Sequence, residues 1–151
     1  MFPQAAIEII DSQGVAMSLG FQVLAAARAV SYQEVIAIAR QAKEHTGVMF
    51  VVDTLEFLHR GGRIGGASRL LGTALNLKPL LELRYGRVES VEKIRTKAKA
   101  RARLLDIVEG RLSGKSQVRL SALHAAAEGE ARAVHKRYNK KRYFFLFKRW
   151  L

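Results

Sequence analysis

The sequence predicts an α/β fold, and three observations lead to this prediction. Short apolar runs between turn residues predict strands, and longer stretches with apolar residues at helical spacing predict helices. Ser and Thr residues stand where several of these helices begin, which is typical of N-caps. The chain has 151 residues and a hydrophobic content of 49%, enough for a substantial core.

The beginning of the chain is predicted to form one strand and two helices. Residues 6–10 are an apolar run before a loop, which indicates a buried strand. Ser18 is predicted to cap a helix over residues 19–30, and Ser31 with Glu34 forms a capping box for a second helix. The residues expected to face the core are Leu19, Val23, Leu24 and Ala27 in the first helix and Val35, Ile38, Ala39 and Ala42 in the second.

The middle of the chain is predicted to alternate between strands and short helices. Residues 48–52 are β-branched and aromatic and indicate a buried strand, and residues 54–60 form one or two helical turns. A small amphipathic helix at 67–75 precedes a strand at 77–83. Because Pro79 donates no hydrogen bond to a sheet, this strand is expected to lie at an edge or to begin near the proline.

The remaining elements are a hairpin, a helix and a last strand. Tyr85 and Gly86 form a turn between two alternating runs, which predicts a β-hairpin. Thr96 is predicted to cap a helix that continues to about residue 112, with Ala100, Leu104, Ile107 and Val108 facing inward. Residues 117–123 alternate as the final strand.

The net charge of +13 raises the question of a nucleic-acid partner, but its distribution weakens that interpretation. Eight of the 26 Lys and Arg residues lie in residues 132–151, which contain no acid. The same segment holds half of the aromatic residues. We therefore interpret it as a basic, aromatic tail that differs in composition from the rest of the chain, and we expect no specific nucleic-acid partner.

A glycine-rich loop at residues 61–66 is the first candidate binding site. Its backbone N–H groups, including that of Gly62, and the Arg63 side chain would suit a carboxylate or a phosphate. The alternative is a turn that needs a positive φ, with Arg63 in solvent. Arg95 lies between a strand and a helix cap, so Arg63 and Arg95 together would hold an anionic head group; the alternative is two ordinary surface arginines.

The sequence offers no catalytic site, so we expect a protein that is not an enzyme. No nucleophile stands in a motif with a base, cysteine is absent, and the histidines lack metal-ligand spacing, so no metal and no cofactor are expected. Asp53 and Glu56 are explained by the start of a helix, and Asn76 and Lys78 by a turn before a strand. No apolar stretch reaches the roughly 20 residues of a membrane span. A cytoplasmic location is therefore expected.

Several ordered motifs resemble the DegV family of bacterial fatty-acid-binding proteins. They are residues 51–65, with Leu-His-Arg-Gly-Gly-Arg-Ile-Gly; residues 75–81, with Leu-Asn-Leu-Lys-Pro; residues 86–88; residues 91–96, which end in Ile-Arg-Thr; and, upstream, residues 10–12 and 18–20. The resemblance covers about residues 7–127. It implies a mixed sheet with flanking helices and a long-chain fatty acid held between two α/β domains.

The resemblance also implies a mechanism. In the family the acyl chain lies in an apolar tunnel, and some members present the carboxylate to a separate fatty acid kinase. By position, Arg63 and Arg95 match arginines near the head group and the kinase-docking surface, and Gly62 lies beside the first of them. The protein would then be a carrier and the kinase the catalyst.

Three segments follow from the comparison with a whole family member. Residues 1–46 resemble a remnant of the N-terminal domain, residues 47–127 resemble part of the C-terminal lipid-binding domain, and residues 128–151 form the tail. We interpret the chain as an incomplete, truncated or frame-shifted member, with a natural short variant as the other possibility. The alternative functions are a basic nucleic-acid-binding module that uses residues 95–103 and the tail, or a non-functional gene fragment.

Overall fold

The computed structural model describes residues 6–72 and 77–138 in full and the backbone of residues 144–146. The chain divides into two compact units, Met1–Arg101 and Ala102–Leu151. This division differs from the predicted segments 1–46, 47–127 and 128–151, which stay a prediction. The elements confirm a mixed α/β architecture with helices beside a sheet.

Unit 1 is built on a three-stranded antiparallel sheet in the order β1-β2-β3. The strands are β1 (Val48–Val51), β2 (Leu80–Arg84) and β3 (Arg87–Glu92). Tyr85 and Gly86 join β2 to β3 with φ values of 51° and 74°, the left-handed conformation of a two-residue hairpin turn. The predicted hairpin is therefore confirmed.

The core of unit 1 lies on this sheet. Leu80 and Leu81 of β2 are fully buried. Leu81 packs with Val88 of β3 and with Ile64 and Ala67 from the segment before the sheet's second strand. As predicted, β2 begins next to Pro79, but it is the central strand of this sheet and not an edge. The proline is accommodated because it precedes the first paired residue.

The beginning of the chain differs most from the prediction. Residues 6–10 form no strand, and the side chain of Ile9 is 92% exposed. A strand needs a neighbour for its backbone hydrogen bonds, and within the described parts of the chain residues 6–10 pair with no strand. The prediction of a buried strand was therefore wrong.

Helix α1 (Ala16–Ala26) begins earlier and ends earlier than predicted, and it is rotated. Ser18 does not cap it but is buried within its first turn, and Gln22 is also buried. The Gln22 Nε2 donates to the Ser12 carbonyl oxygen at 3.2 Å and to Thr46 Oγ1 at 2.8 Å. Because these bonds hold the polar side inward, three residues that were predicted to face the core are exposed: Leu19, Val23 and Leu24.

The next helix follows the prediction closely. Ser31 caps α2 (Tyr32–Ala42), and its hydroxyl accepts from the Glu34 backbone N–H at 3.2 Å. The Glu34 carboxylate in turn accepts from the Val30 N–H at 3.1 Å. The predicted inward face is at least half-buried, and a short 3₁₀ helix, Lys43–His45, continues the chain before Gly47.

Two short helical segments separate β1 from β2. Helix α3 (Glu56–Arg60) ends at Gly61, and Gly62 takes a φ of 67°, as expected for a glycine stop. The second segment is a 3₁₀ helix, Gly65–Leu70, where an amphipathic helix over 67–75 was predicted. Residues 73–76, including Asn76, lie outside the described part of the chain.

Helix α4 (Lys97–Leu112) begins in unit 1 and ends in unit 2. Thr96 is its cap, as predicted, and its Oγ1 accepts from the Lys99 N–H at 3.3 Å. Unit 2 continues with β4 (Leu120–Ala122), α5 (Glu128–Tyr138) and β5 (Phe144–Leu146). Strands β4 and β5 are parallel, so α5 is the crossover between them.

Helix α5 packs on α4 within unit 2. The Tyr138 side chain is buried and its hydroxyl donates to the Leu105 carbonyl oxygen at 3.2 Å. Arg137 binds the Glu109 carboxylate with two bonds of 2.8 and 3.0 Å. The sequence predicted residues 117–123 as the final strand, but β5 follows later, because aromatic residues 144–146 have a strand to pair with.

Candidate functional site

One edge of the sheet in unit 1 brings together charged residues from three chain segments. Val51 at the end of β1 pairs with Leu80 at the start of β2, and Leu80 pairs with Glu92 at the end of β3. The residues that follow β1, precede β2 and follow β3 therefore meet at this edge. We call the group Asp53, Lys78, Arg95 and Lys97 the basic edge.

Asp53 is the centre of the basic edge. Its Oδ1 lies 3.1 Å from Lys78 Nζ and its Oδ2 lies 2.6 Å from Lys97 Nζ. Lys78 Nζ also donates to the Asp53 carbonyl oxygen at 3.1 Å. Hydrogen bonds from Lys97 and then Lys78 hold the pKa of the Asp53 carboxyl below its usual value. Asp53 is therefore ionised at neutral pH and links the two ammonium groups.

Arg95 is held at this edge by its neighbours in sequence. The Lys78 N–H donates to the Ile94 carbonyl oxygen on one side of Arg95. Thr96 and Lys97 begin α4 on the other side, and Lys97 is bound to Asp53. The Arg95 side chain is exposed, and no carboxylate among the residues described pairs with it. Its guanidinium is thus available for an anion.

Arg63 and Gly62 lie on a different loop. Gly62 is exposed with open space around its Cα, and the Arg63 N–H donates to the Leu58 carbonyl oxygen at 2.8 Å. The exposed Arg63 side chain donates to the Gly61 carbonyl oxygen at 3.2 Å. Two residues later, Gly65 touches Val88 near the hairpin end of β3, whereas Arg95 follows the opposite end. The joint binding of one head group by both arginines stays a prediction.

The sequence did not identify Asp53 or Lys78 as site residues. Asp53 was assigned to a helix start, but α3 begins only at Glu56, and Lys78 was assigned to a turn. The signal lay in the strand order: a charge follows β1, another precedes β2 and others follow β3. In an antiparallel meander these positions share an edge.

A separate polar cleft of about 510 Å³ lies elsewhere in unit 1. Ser18, Thr46 and Tyr85 are among its lining residues, and Gly62, Arg63 and Arg95 are not. In unit 2, both imidazole nitrogens of His124 are buried without a hydrogen-bond partner in the described structure. Acidic residues and histidines form no group of three suited to a metal ion within residues 6–72 and 77–138.

No helix in the described ranges is long and apolar enough to cross a lipid bilayer.

Comparisons with known proteins point to one family. The sequence profile of a family described as uncharacterised proteins of the DegV family matches residues 1–144. A DegV domain-containing protein of Streptomyces coelicolor is 42% identical over 132 residues, which make up 85% of this chain and 47% of that protein. The profile match therefore extends past residue 127, where the resemblance in the sequence motifs ends.

Solved structures with the same fold include two with substantial identity. One, described as fatty acid binding of a DegV family protein from Thermus thermophilus, is 33% identical with a TM-score of 0.82 and covers 96% of this chain and 54% of its own. Another is DegV, a fatty acid binding protein from Bacillus subtilis, 30% identical with a TM-score of 0.77 and covering 91% and 51%. The chain spans about half the length of the relatives that it matches.

Proposed function

This chain belongs to the DegV family, and from that membership we propose that it takes part in binding a long-chain fatty acid. The observation that carries the proposal is the likeness to the Thermus thermophilus and Bacillus subtilis proteins, both described as binding fatty acids and both at least 30% identical to this chain. The chain spans about half of each, so the proposal concerns its share of a binding site.

The proposed mechanism gives the ligand's two ends to different parts of the protein. The acyl chain would lie in an apolar tunnel, away from water, and the carboxylate would face the cationic side chains. Arg95, and Arg63 beside Gly62, are the groups proposed to bind the carboxylate or a phosphate formed on it. A guanidinium suits both groups, because its fork of N–H donors can form two charge-assisted hydrogen bonds.

A separate fatty acid kinase is the proposed partner. The basic side chains would remain close to the carboxylate while that enzyme transfers a phosphoryl group to it. The proposal assigns this chain the role of carrier in the cytoplasm, with no catalytic step and no cofactor of its own.

Mass spectrometry of lipids extracted from the purified, folded chain tests the proposal directly. We expect a fatty acid in stoichiometric amount. Arg95→Gln and Arg63→Gln should each lower retention of the acid by about tenfold, the effect of losing one charge-assisted hydrogen bond. Arg28→Gln is the matched control, because Arg28 is exposed and lies outside both loops.

An empty extract, together with no binding of added fatty acid, would contradict the proposal for this chain alone. Salt dependence separates it from the nucleic-acid alternative, since phosphate-backbone contacts weaken steeply as salt rises, whereas burial of an acyl chain does not. A melt without a cooperative transition would instead favour a non-functional fragment.

A further inference from the structure

We propose that Asp53 is a positioning residue, which fixes the loop carrying Arg95 so that the guanidinium meets the ligand's anionic group. The inference rests on the proposed function, because it concerns how the same head group is bound. Asp53 does not touch the ligand in this proposal; it acts through Lys78, Lys97 and the backbone between β3 and α4.

The loop that carries Arg95 is held on both sides. On one side Lys78 donates its backbone N–H to the Ile94 carbonyl oxygen, and its side chain reaches Asp53 at 3.1 Å. On the other side Lys97 reaches the second oxygen of the same carboxylate at 2.6 Å. Asp53 therefore ties both flanks of the loop to the end of β1, and only Arg95 and Thr96 stand between them.

Stability alone does not account for this arrangement. The Asp53 side chain is 57% exposed and that of Lys97 is 55% exposed, and ion pairs in such positions contribute little because water screens them. What the three bonds do fix is geometry. Arg95, the cation between them, is the one that no carboxylate in the described chain neutralises.

An arginine needs this fixing more than a lysine does. Its guanidinium binds a carboxylate or phosphate well only when the planar fork faces the oxygens, whereas an ammonium acts as a point charge. A displaced loop would therefore reduce the directional part of binding. It would leave the overall positive charge of the edge in place.

The two explanations of Asp53 predict opposite signs. Asp53→Asn removes a negative charge from the basic edge, so a purely electrostatic effect would strengthen the binding of an anion. If Asp53 positions Arg95, the same substitution weakens it. The side chains are nearly identical in size, so packing changes little.

The experiment compares the affinities of the chain for palmitic acid and for hexadecanol, which has the same chain length and no carboxylate. In the wild type we expect the acid to bind more tightly. Arg95→Gln should reduce the acid-to-alcohol ratio by about tenfold, and Asp53→Asn by several-fold in the same direction. The double variant should equal Arg95→Gln, because both substitutions remove one interaction. Asp106→Asn, at an exposed position of α4, is the matched control.

A second readout needs no ligand. Backbone NMR order parameters of Arg95 and Thr96 should fall in Asp53→Asn and not in Asp106→Asn. Equal losses for acid and alcohol, additive effects of the two substitutions, or unchanged order parameters would overturn the positioning role. Binding of neither ligand by the wild type would overturn the proposed function as well, and the two failures are thereby distinguished.

Discussion

Gly65 lies against β3 so closely that a side chain has no room. A Cβ at this position would lie 2.5 Å from the Val88 carbonyl oxygen and 3.0 Å from the Val88 nitrogen, and the φ of Gly65 is +51°. This contact sets the distance between the loop of Arg63 and the sheet. The backbone of β3 cannot yield without breaking its pairing with β2.

We therefore expect Gly65→Ala to lower the free energy of unfolding by about 2–4 kcal/mol, from the left-handed conformation and the overpacking together. Gly72→Ala is the control: its φ is +78° but a Cβ would meet nothing within 4 Å, so the cost should be about 1 kcal/mol. Urea unfolding measures both. Equal losses for the two variants would contradict the close contact.

Asp53 also gives the chain a dependence on acid. Its pKa is lowered in the folded state by Lys97 and Lys78, so its contribution to stability is present above the pKa of the unfolded chain and is lost as the pH falls through the lower, folded pKa. We expect Asp53→Asn to be less stable than the wild type at pH 7. The difference should vanish in strong acid, and urea midpoints over a pH series would show it. A difference that persists in acid would exclude this ion pairing as its cause.

At the scale of the element, α2 shows how far local sequence determines structure. Ser31 and Glu34 were predicted as its capping residues, and each accepts a backbone N–H, although Glu34 binds the N–H of Val30 and not that of Ser31. Its apolar face was also predicted. These features depend only on residues within one helical turn of each other.

Loss of this cap gives a prediction for the helix. Ser31→Ala should destabilise the chain by about 1 kcal/mol, because it leaves the Glu34 N–H without its acceptor. Ser113→Ala, an exposed position after α4, should change stability by less than about 0.5 kcal/mol. Thermal unfolding of both variants measures the difference, and a neutral Ser31→Ala would mean that water replaces the cap fully.

Helix α1 shows where local sequence is not sufficient. Its apolar residues have helical spacing, so the sequence placed them in the core. Their orientation is decided by Gln22, which bonds to Ser12 and, from a distant part of the chain, to Thr46. No pattern within the helix reveals that partner. The basic edge was missed for the same reason, since its members come together only through the pairing of three strands.

At the scale of the whole molecule, the family and the α/β class were both predicted from the sequence and are confirmed. Ordered motifs identify a family even when a chain spans only about half of its relatives, because each motif is local. The roles of Gly62, Arg63 and Arg95 stay predictions. They depend on a ligand and on residues outside the part that the structure describes.

The surface of the molecule carries more apolar area than a separate domain usually exposes. Leu19 and Val23 are adjacent on α1, and the side chains of Val23 and Val30 are 56% and 96% exposed. We expect the chain to bind an apolar dye such as ANS in its folded state. The double variant Val23→Glu, Leu24→Glu should lower that fluorescence, and Gln33→Glu, an exposed site on α2, should not. Equal fluorescence in all three proteins would contradict this prediction.

The connections between paired strands have a consequence for the order of folding. Strands β2 and β3 are joined by two residues, so their hairpin can close in microseconds from local contacts. Strands β4 and β5 are parallel, and they can pair only after the whole of α5 has crossed from one to the other. A ribosome would therefore release a nascent chain whose hairpin is already formed, while its last strand still waits for a neighbour.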